Sequence, residues 1–158
     1  MQVYTVSFFG HRTIENGFEV RQHLEKEVTR LIEQMEYVEF LVGRDGDFDI
    51  IAASVIRRIK TQRDLGNCSL TLVLPYMKAE FRNNEQLFLN YYDEVEICEQ
   101  SSRAHYKSAI PIRNRAMVDR SDLIICYIKQ SYGGAYKTIC YAEKHGRKII
   151  NMNESRIF

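Results

Sequence analysis

Apolar and polar positions alternate along residues 3–9, with Tyr4, Val6 and Phe8 on one side and Thr5 and Ser7 between them. That period of two predicts a strand, and it runs into Gly10-His11-Arg12-Thr13. Residues 18–35 then space Leu24, Val28, Leu31, Ile32 and Met35 three or four positions apart, the pattern of an amphipathic helix. A short strand over 39–42 leads to Gly43 and the polar turn 44–47. Over 48–59 the helical period returns with a wider apolar arc, from Ile50 and Ile51 through Ala52, Ala53, Val55 and Ile56 to Ile59. Such an arc predicts a helix largely buried across a sheet. Residues 69–74 read as a strand stopped by Pro75.

The second half is less regular. Residues 76–83 read as irregular, 85–92 as one or two helical turns, 94–98 as a fourth strand and 99–108 as a polar loop. Pro111 is placed to open a short helix at its first position, where its missing N–H costs nothing. The polar run from Arg113 to Asp122 meets an apolar run over 123–128, a fifth strand. Gly133-Gly134, a helix over 135–145 closed by Gly146, and a strand over 148–152 complete the chain. Strands alternating with helices predict an α/β fold, a mainly parallel sheet with helices on both faces and right-handed crossovers. A single domain over residues 1–158 is expected.

Composition narrows the class. Hydrophobic residues are 45% and charged ones 27% of the chain, the profile of a folded globular protein. No apolar run approaches the roughly 18 residues of a membrane span, and the start lacks a basic signal-peptide region, so a cytoplasmic protein is expected. With 22 basic and 21 acidic residues the net charge is +1, which argues against a protein that coats nucleic acid. Cys68, Cys98, Cys126 and Cys140 form no C-x-x-C pair and are expected to be free thiols rather than zinc ligands or a disulfide.

In a parallel sheet, turns that follow strands share the carboxyl edge, where ligands bind. Three such turns carry unusual residues: Gly10-His11-Arg12, the segment from Gly43 to Asp49, and Gly133-Gly134. Glycine lets backbone approach a ligand closely, and the helix after Gly134 offers N–H groups to an anion. Arg12, Arg113 and Arg115 supply fork-shaped donors for phosphate or carboxylate. On one helix Arg113 and Arg115 point about 200° apart, so only one faces the ligand. Arg115, which stacks over Asp119 at i+4, is the favoured one. Asp122 or Asp49 would orient these arginines or a ribose hydroxyl. His11 has no catalytic partners in the sequence and is expected to play a hydrogen-bonded structural role. Asp45, Asp47 and Asp49 resemble the start of a calcium loop, but Ile56 stands where the glutamate is needed, so no metal site is expected.

Taken in order, these motifs resemble the SLOG superfamily, which groups the Smf/DprA proteins with the LOG phosphoribohydrolases, and within it the small bacterial YpsA-like branch. The resemblance rests on Phe9-Gly10-His11-Arg12, and on Gly43 with Gly46, Asp49 and Ala52. It continues through Arg113-Asn114-Arg115 with Met117-Val118-Asp119 and Ser121-Asp122, and ends at Gly133-Gly134 with Thr138 and Tyr141-Ala142. It implies a Rossmann-like fold and a pocket for a nucleotide or nucleotide derivative. The first two turns would contribute Gly10, His11, Arg12, Gly43 and Asp49. The later segments would contribute Arg113, Asn114, Arg115, Asp122, Gly133, Gly134 and Thr138.

LOG enzymes follow P-G-G-x-G-T with a glutamate that serves hydrolysis. Here Tyr132-Gly133-Gly134-Ala135-Tyr136-Lys137-Thr138 leads to Ile139-Cys140, and Glu143 comes one turn too late. The expectation is therefore a nucleotide-binding sensor or regulatory module without catalytic residues. An N-glycosidic hydrolase of nucleoside monophosphates is the alternative, and a single-stranded nucleic-acid binder ranks last. No cofactor beyond a nucleotide-type ligand is expected. The expected partners are that ligand and further copies of the chain, as a homodimer or higher oligomer, with neither nucleic acid nor membrane.

Overall fold

A computed structural model describes residues 1–64 and 66–153. The expected single domain over 1–158 thus includes positions, residue 65 and residues 154–158, that lie outside the described residues. Six strands form one sheet in the order β4-β3-β2-β1-β5-β6, and every pairing is parallel. They are β1 (Val3–Gly10), β2 (Tyr37–Val42), β3 (Cys68–Leu74), β4 (Glu94–Ile97), β5 (Leu123–Tyr127) and β6 (Lys148–Asn151). The fold is α/β and Rossmann-like, as the alternating pattern predicts.

Two apolar layers flank the sheet. On one face, α1 (Gly17–Gln34) buries Val20, Leu24, Val28, Leu31 and Ile32, and α2 (Asp47–Arg63) buries Phe48, Ala52, Val55, Ile56 and Ile59. On the other face, α6 (Tyr106–Asp119) and α7 (Gly134–Lys144) pack Met117, Val118, Ile139 and Ala142 against Phe9, Leu41, Ile124 and Cys126. Being central, β1 is covered on both sides. Its alternating Thr5 and Ser7 therefore face the second layer instead of water, and Ser7 Oγ lies 2.6 Å from Ser121 Oγ. Ser121 Oγ also donates to the Met117 carbonyl at 2.7 Å, which satisfies this buried polar pair.

Several local expectations change. The stretch read as irregular contains α3 (Ala79–Asn83), followed by α4 (Glu85–Tyr91). The stretch read as a polar loop holds α5 (Glu99–Ser102) and the first residues of α6. Pro111 does not open that helix but lies inside it. The opening is made by His105, whose Nδ1 accepts the Lys107 N–H at 3.2 Å; histidine is not among the preferred capping residues, so the pattern gave no start signal. Ile50, assigned to the buried arc of α2, is exposed at the helix's first turn, and Ile51 is half-buried. Gly146 takes φ +69° just past α7, as expected. Cys68, Cys98 and Cys126 are buried free thiols, and Cys140 is a free thiol on the surface. Among the described residues no helix is long and apolar enough to cross a membrane.

Candidate functional site

The strand order reverses between β1 and β5, because β2 to β4 build outward on one side and the chain then crosses back to add β5 and β6 on the other. At such a switch point the strand-exit loops diverge and leave a crevice at the carboxyl edge. A cavity of about 750 Å³ occupies it here. The three glycine-bearing turns do converge on it. Gly10, His11, Arg12, Gly43, Asp49, Arg113, Asn114, Gly133 and Gly134 all contribute to its lining.

Close approach explains two of the glycines around it. A Cβ on Gly10 would overlap the ring of Phe48, which is fully buried in α2. Replacing Gly10 with alanine is expected to cost about 1–3 kcal/mol, because this contact has no slack; a urea midpoint unchanged from wild type would contradict it. A Cβ on Gly46 would lie 2.5 Å from the Arg12 backbone, whose carbonyl accepts the Asp47 N–H at 2.8 Å. That bond ties the β1 exit to the start of α2.

His11 is neutral and structural. Burial pulls its pKa below the ordinary imidazole value. Its Nε2 accepts the backbone N–H groups of Lys129 (2.9 Å) and Gln130 (3.3 Å), which pins the β5–α7 loop beside β1. That loop ends at Gly133, whose φ of 96° favours glycine, and α7 begins without a side-chain cap. The first described bond into its opening turn is from Lys137 N–H to the Gly133 carbonyl. The N–H groups of Gly134 and Ala135 therefore stay available at the cavity mouth, at the positive end of the helix.

Arg113, not Arg115, is the arginine that reaches this site. Arg113 is only 2% exposed. Its Nε donates to Asn114 Oδ1 (3.0 Å), one terminal nitrogen to the Val73 carbonyl (2.9 Å), and the other to Asp45 Oδ2 (2.5 Å). A Cβ on Gly43 would sit 3.2 Å from this guanidinium, so Gly43 makes its room. Arg115 is exposed on the far side of α6. The expected Arg115–Asp119 pair is not formed among the described residues; Asp119 Oδ1 instead accepts the Tyr141 hydroxyl at 2.7 Å.

Asp122 is also displaced from the site. Its carboxylate accepts the Thr5 N–H at 2.8 Å at the start of β1 and β5, the opposite edge of the sheet from the cavity. Thr138 lies one turn behind the mouth. Its hydroxyl donates to the Gly134 carbonyl (3.0 Å) and accepts from Asn114 Nδ2 (3.2 Å), so it braces the lining without forming it.

The sequence reading passed over other lining residues. Asp45 holds Arg113, Ile110 and Tyr127 supply apolar wall, and Lys129 and Tyr132 stand at the mouth. Tyr132 is 68% exposed and immediately precedes the glycine turn, a position that could have singled it out. Asp49 is half-buried, and its Oδ2 accepts the Asp45 N–H at 3.0 Å. Burial raises its pKa to about 6; the Asp45 N–H and the Arg113 charge oppose that rise, and the Asp45 charge adds to it. Among the described residues no cluster of three or more His, Cys, Asp or Glu side chains is arranged to hold a metal ion.

The DNA processing protein A (DprA) of Streptococcus pneumoniae aligns with a TM-score of 0.64 at 15% identity, over 93% of this chain and 49% of that one. The DprA of Helicobacter pylori, whose structure concerns its single-stranded DNA binding mode, aligns with a TM-score of 0.64 at 15% identity, over 98% of this chain and 71% of that one. The fold is DprA-like. The chain spans about half the length of the S. pneumoniae DprA. No family model matches the sequence, and no curated protein does.

The DprA neighbours agree with the Smf/DprA side of the sequence resemblance. They also correct the functional expectation. The H. pylori DprA is described as binding single-stranded DNA, which runs against an expectation that ranked nucleic acid last. The nucleotide-sensor reading and the exclusion of nucleic acid as a partner are set aside.

Net charge averages over faces, so a balance of +1 leaves room for a local cationic patch. Many of the acidic groups are paired far from the cavity. Glu25 pairs with Arg58, Glu33 with Arg63 at 2.7 Å, Asp93 with Lys60 at 2.6 Å, and both Glu39 and Glu96 with Arg120. Arg12, at the mouth, pairs with no carboxylate among the described residues.

Proposed function

We propose that the protein binds single-stranded DNA at the carboxyl edge of its sheet, with the β1/β5 cavity receiving one nucleotide of the strand. The observation that carries this reading is the cavity itself, set at the switch point of a fold shared with a DprA whose structure concerns single-stranded DNA binding. Strand binders without sequence readout combine cations that follow the phosphates with aromatic faces on which bases stack. Arg12, Lys129 and the free N–H groups of α7 supply the first, and the exposed ring of Tyr132 supplies the second. Within the SLOG superfamily, the Phe9-Gly10-His11-Arg12 exit and the Gly133-Gly134 turn support a place near the YpsA-like proteins, and the function fits a cytoplasmic setting.

Fluorescence anisotropy with labelled oligothymidylate of about 15 nucleotides, at about 50 mM salt, tests the reading. Arg12→Ala is expected to weaken binding about tenfold, the loss of one charge-assisted phosphate contact. It should also reduce the slope of log affinity against log salt by about one. Lys26→Ala on the exposed face of α1 and Arg115→Ala on α6 should bind as wild type does. Absence of binding by the wild-type protein at low salt would sink the proposal.

A further inference from the structure

Mouth and floor of the cavity carry opposite chemistry. The mouth carries donors suited to phosphate, Arg12, Lys129 and the first N–H groups of α7, with the exposed Glu15 carboxylate 3.9 Å from Lys129 Nζ. The floor is made of acceptors, Asp45 and Asp49, beside apolar surface from Phe9 and Ile110. Asp45 is already engaged, with Oδ2 on Arg113 and Oδ1 3.8 Å from Lys78 Nζ. Asp49 is engaged on one side only. Its Oδ2 takes the Asp45 N–H, while Oδ1 has no hydrogen-bond donor among the described residues. Arg113 does not remedy this, because its three nitrogens are directed to Asn114, Val73 and Asp45. Oδ1 is not among the buried atoms left without a partner, so it is open to solvent and to an incoming donor. The carboxyl's pKa of about 6 still leaves it mainly ionised at neutral pH.

The occupant that satisfies this floor has flat apolar faces and N–H groups along one edge. A phosphate would meet two carboxylates and be repelled. Thymine presents a single N–H between two carbonyl oxygens, which would face the same carboxylates. Guanine presents two adjacent donors, N1–H and the N2 amino group, and these can meet one carboxylate side by side. We propose that Asp49 is a specificity-determining residue that selects guanine over thymine from a bound single strand. This inference rests on the single-strand reading above, and it adds to that reading a base preference and the residue that sets it.

The test compares oligothymidylate of about 15 nucleotides with the same strand carrying one central guanine, and with one carrying hypoxanthine there. Wild-type protein is expected to bind the guanine strand about tenfold more tightly than the thymine strand, within the range of a two-point base contact. Hypoxanthine, which lacks the amino group, should fall between them. Asp49→Asn keeps an oxygen for the Asp45 N–H but replaces the free acceptor with an amide, and the guanine-to-thymine ratio should drop to within about twofold. A purely structural role for Asp49 would leave that ratio unchanged. Equal affinity of wild type for all three strands overturns base selection alone, whereas no binding of any strand overturns the single-strand reading together with it. A ratio unchanged in Asp49→Asn, with a preference for ribose over deoxyribose lost instead, would assign the carboxylate to the sugar and overturn the proposal.

Discussion

Arg113→Ala is expected to destabilise the protein by about 3–5 kcal/mol, the cost of breaking a buried ion pair from one side. The guanidinium is 2% exposed and ends in three acceptors: Asn114 Oδ1, the Val73 carbonyl and Asp45 Oδ2. Truncation orphans all three and leaves Asp45 beside Asp49 without its main counter-charge. For a chain of this size the thermal midpoint should fall by roughly 6–20 °C. Arg113→Lys should recover only part of this, since a single ammonium does not reproduce the planar fork. Thermal melts of both variants decide it, and a melt within about 2 °C of wild type would mean that the triad contributes little.

Asp49→Asn is expected to act in the opposite direction and stabilise the protein at pH 7 by about 2–3 kcal/mol, from a pKa raised from 3.8 to about 6. Because the folded-state pKa is raised, the folded protein binds more protons than the unfolded chain between those two values. Stability contributed by protonated Asp49 is therefore full below about pH 4 and lost as pH rises through 6. Asparagine imitates the protonated form at every pH. The advantage of the variant should be largest at pH 7 and disappear near pH 4, as paired denaturation curves would reveal. An advantage that did not change with pH would show that the carboxylate is well solvated. A wild-type residue that lowers stability at the floor of a cavity fits a group retained for binding.

The turns were legible in the sequence because glycines directly following apolar runs need little context. Gly10, Gly43 and Gly133-Gly134 each end a strand or open a helix, and a parallel sheet sends all such ends to one edge. The arginines were not legible. Choosing between Arg113 and Arg115 required the phase of α6, and the helix starts at Tyr106 instead of Pro111 because a histidine caps it. The i+4 partner that favoured Arg115 is a local cue. The acceptors that hold Arg113 come from a β2 exit loop and the end of β3, distant in sequence. Asp122 was misplaced for a simpler reason: it precedes β5, and residues that precede parallel strands lie at the amino edge. Thr138 was carried in by resemblance, and its hydroxyl is consumed within the helix pair.

The span of the Arg113 contacts also orders events in time. They join positions 68 and 40 residues apart, to Asp45 and to Val73. Both spans exceed the 34 and 30 residues that separate paired positions of β1 with β2 and of β2 with β3, so they are expected to close later. The cavity floor is thus completed after the first half of the sheet has formed, when the chain has crossed back to lay α6 and β5 beside β1. Contacts completed after the rate-limiting step act on how long the native state lasts, so Arg113→Ala is expected to raise the unfolding rate and leave refolding near wild type in a denaturant chevron. The same buried arginine that shapes the cavity is thereby expected to govern the lifetime of the folded chain more than the speed of folding.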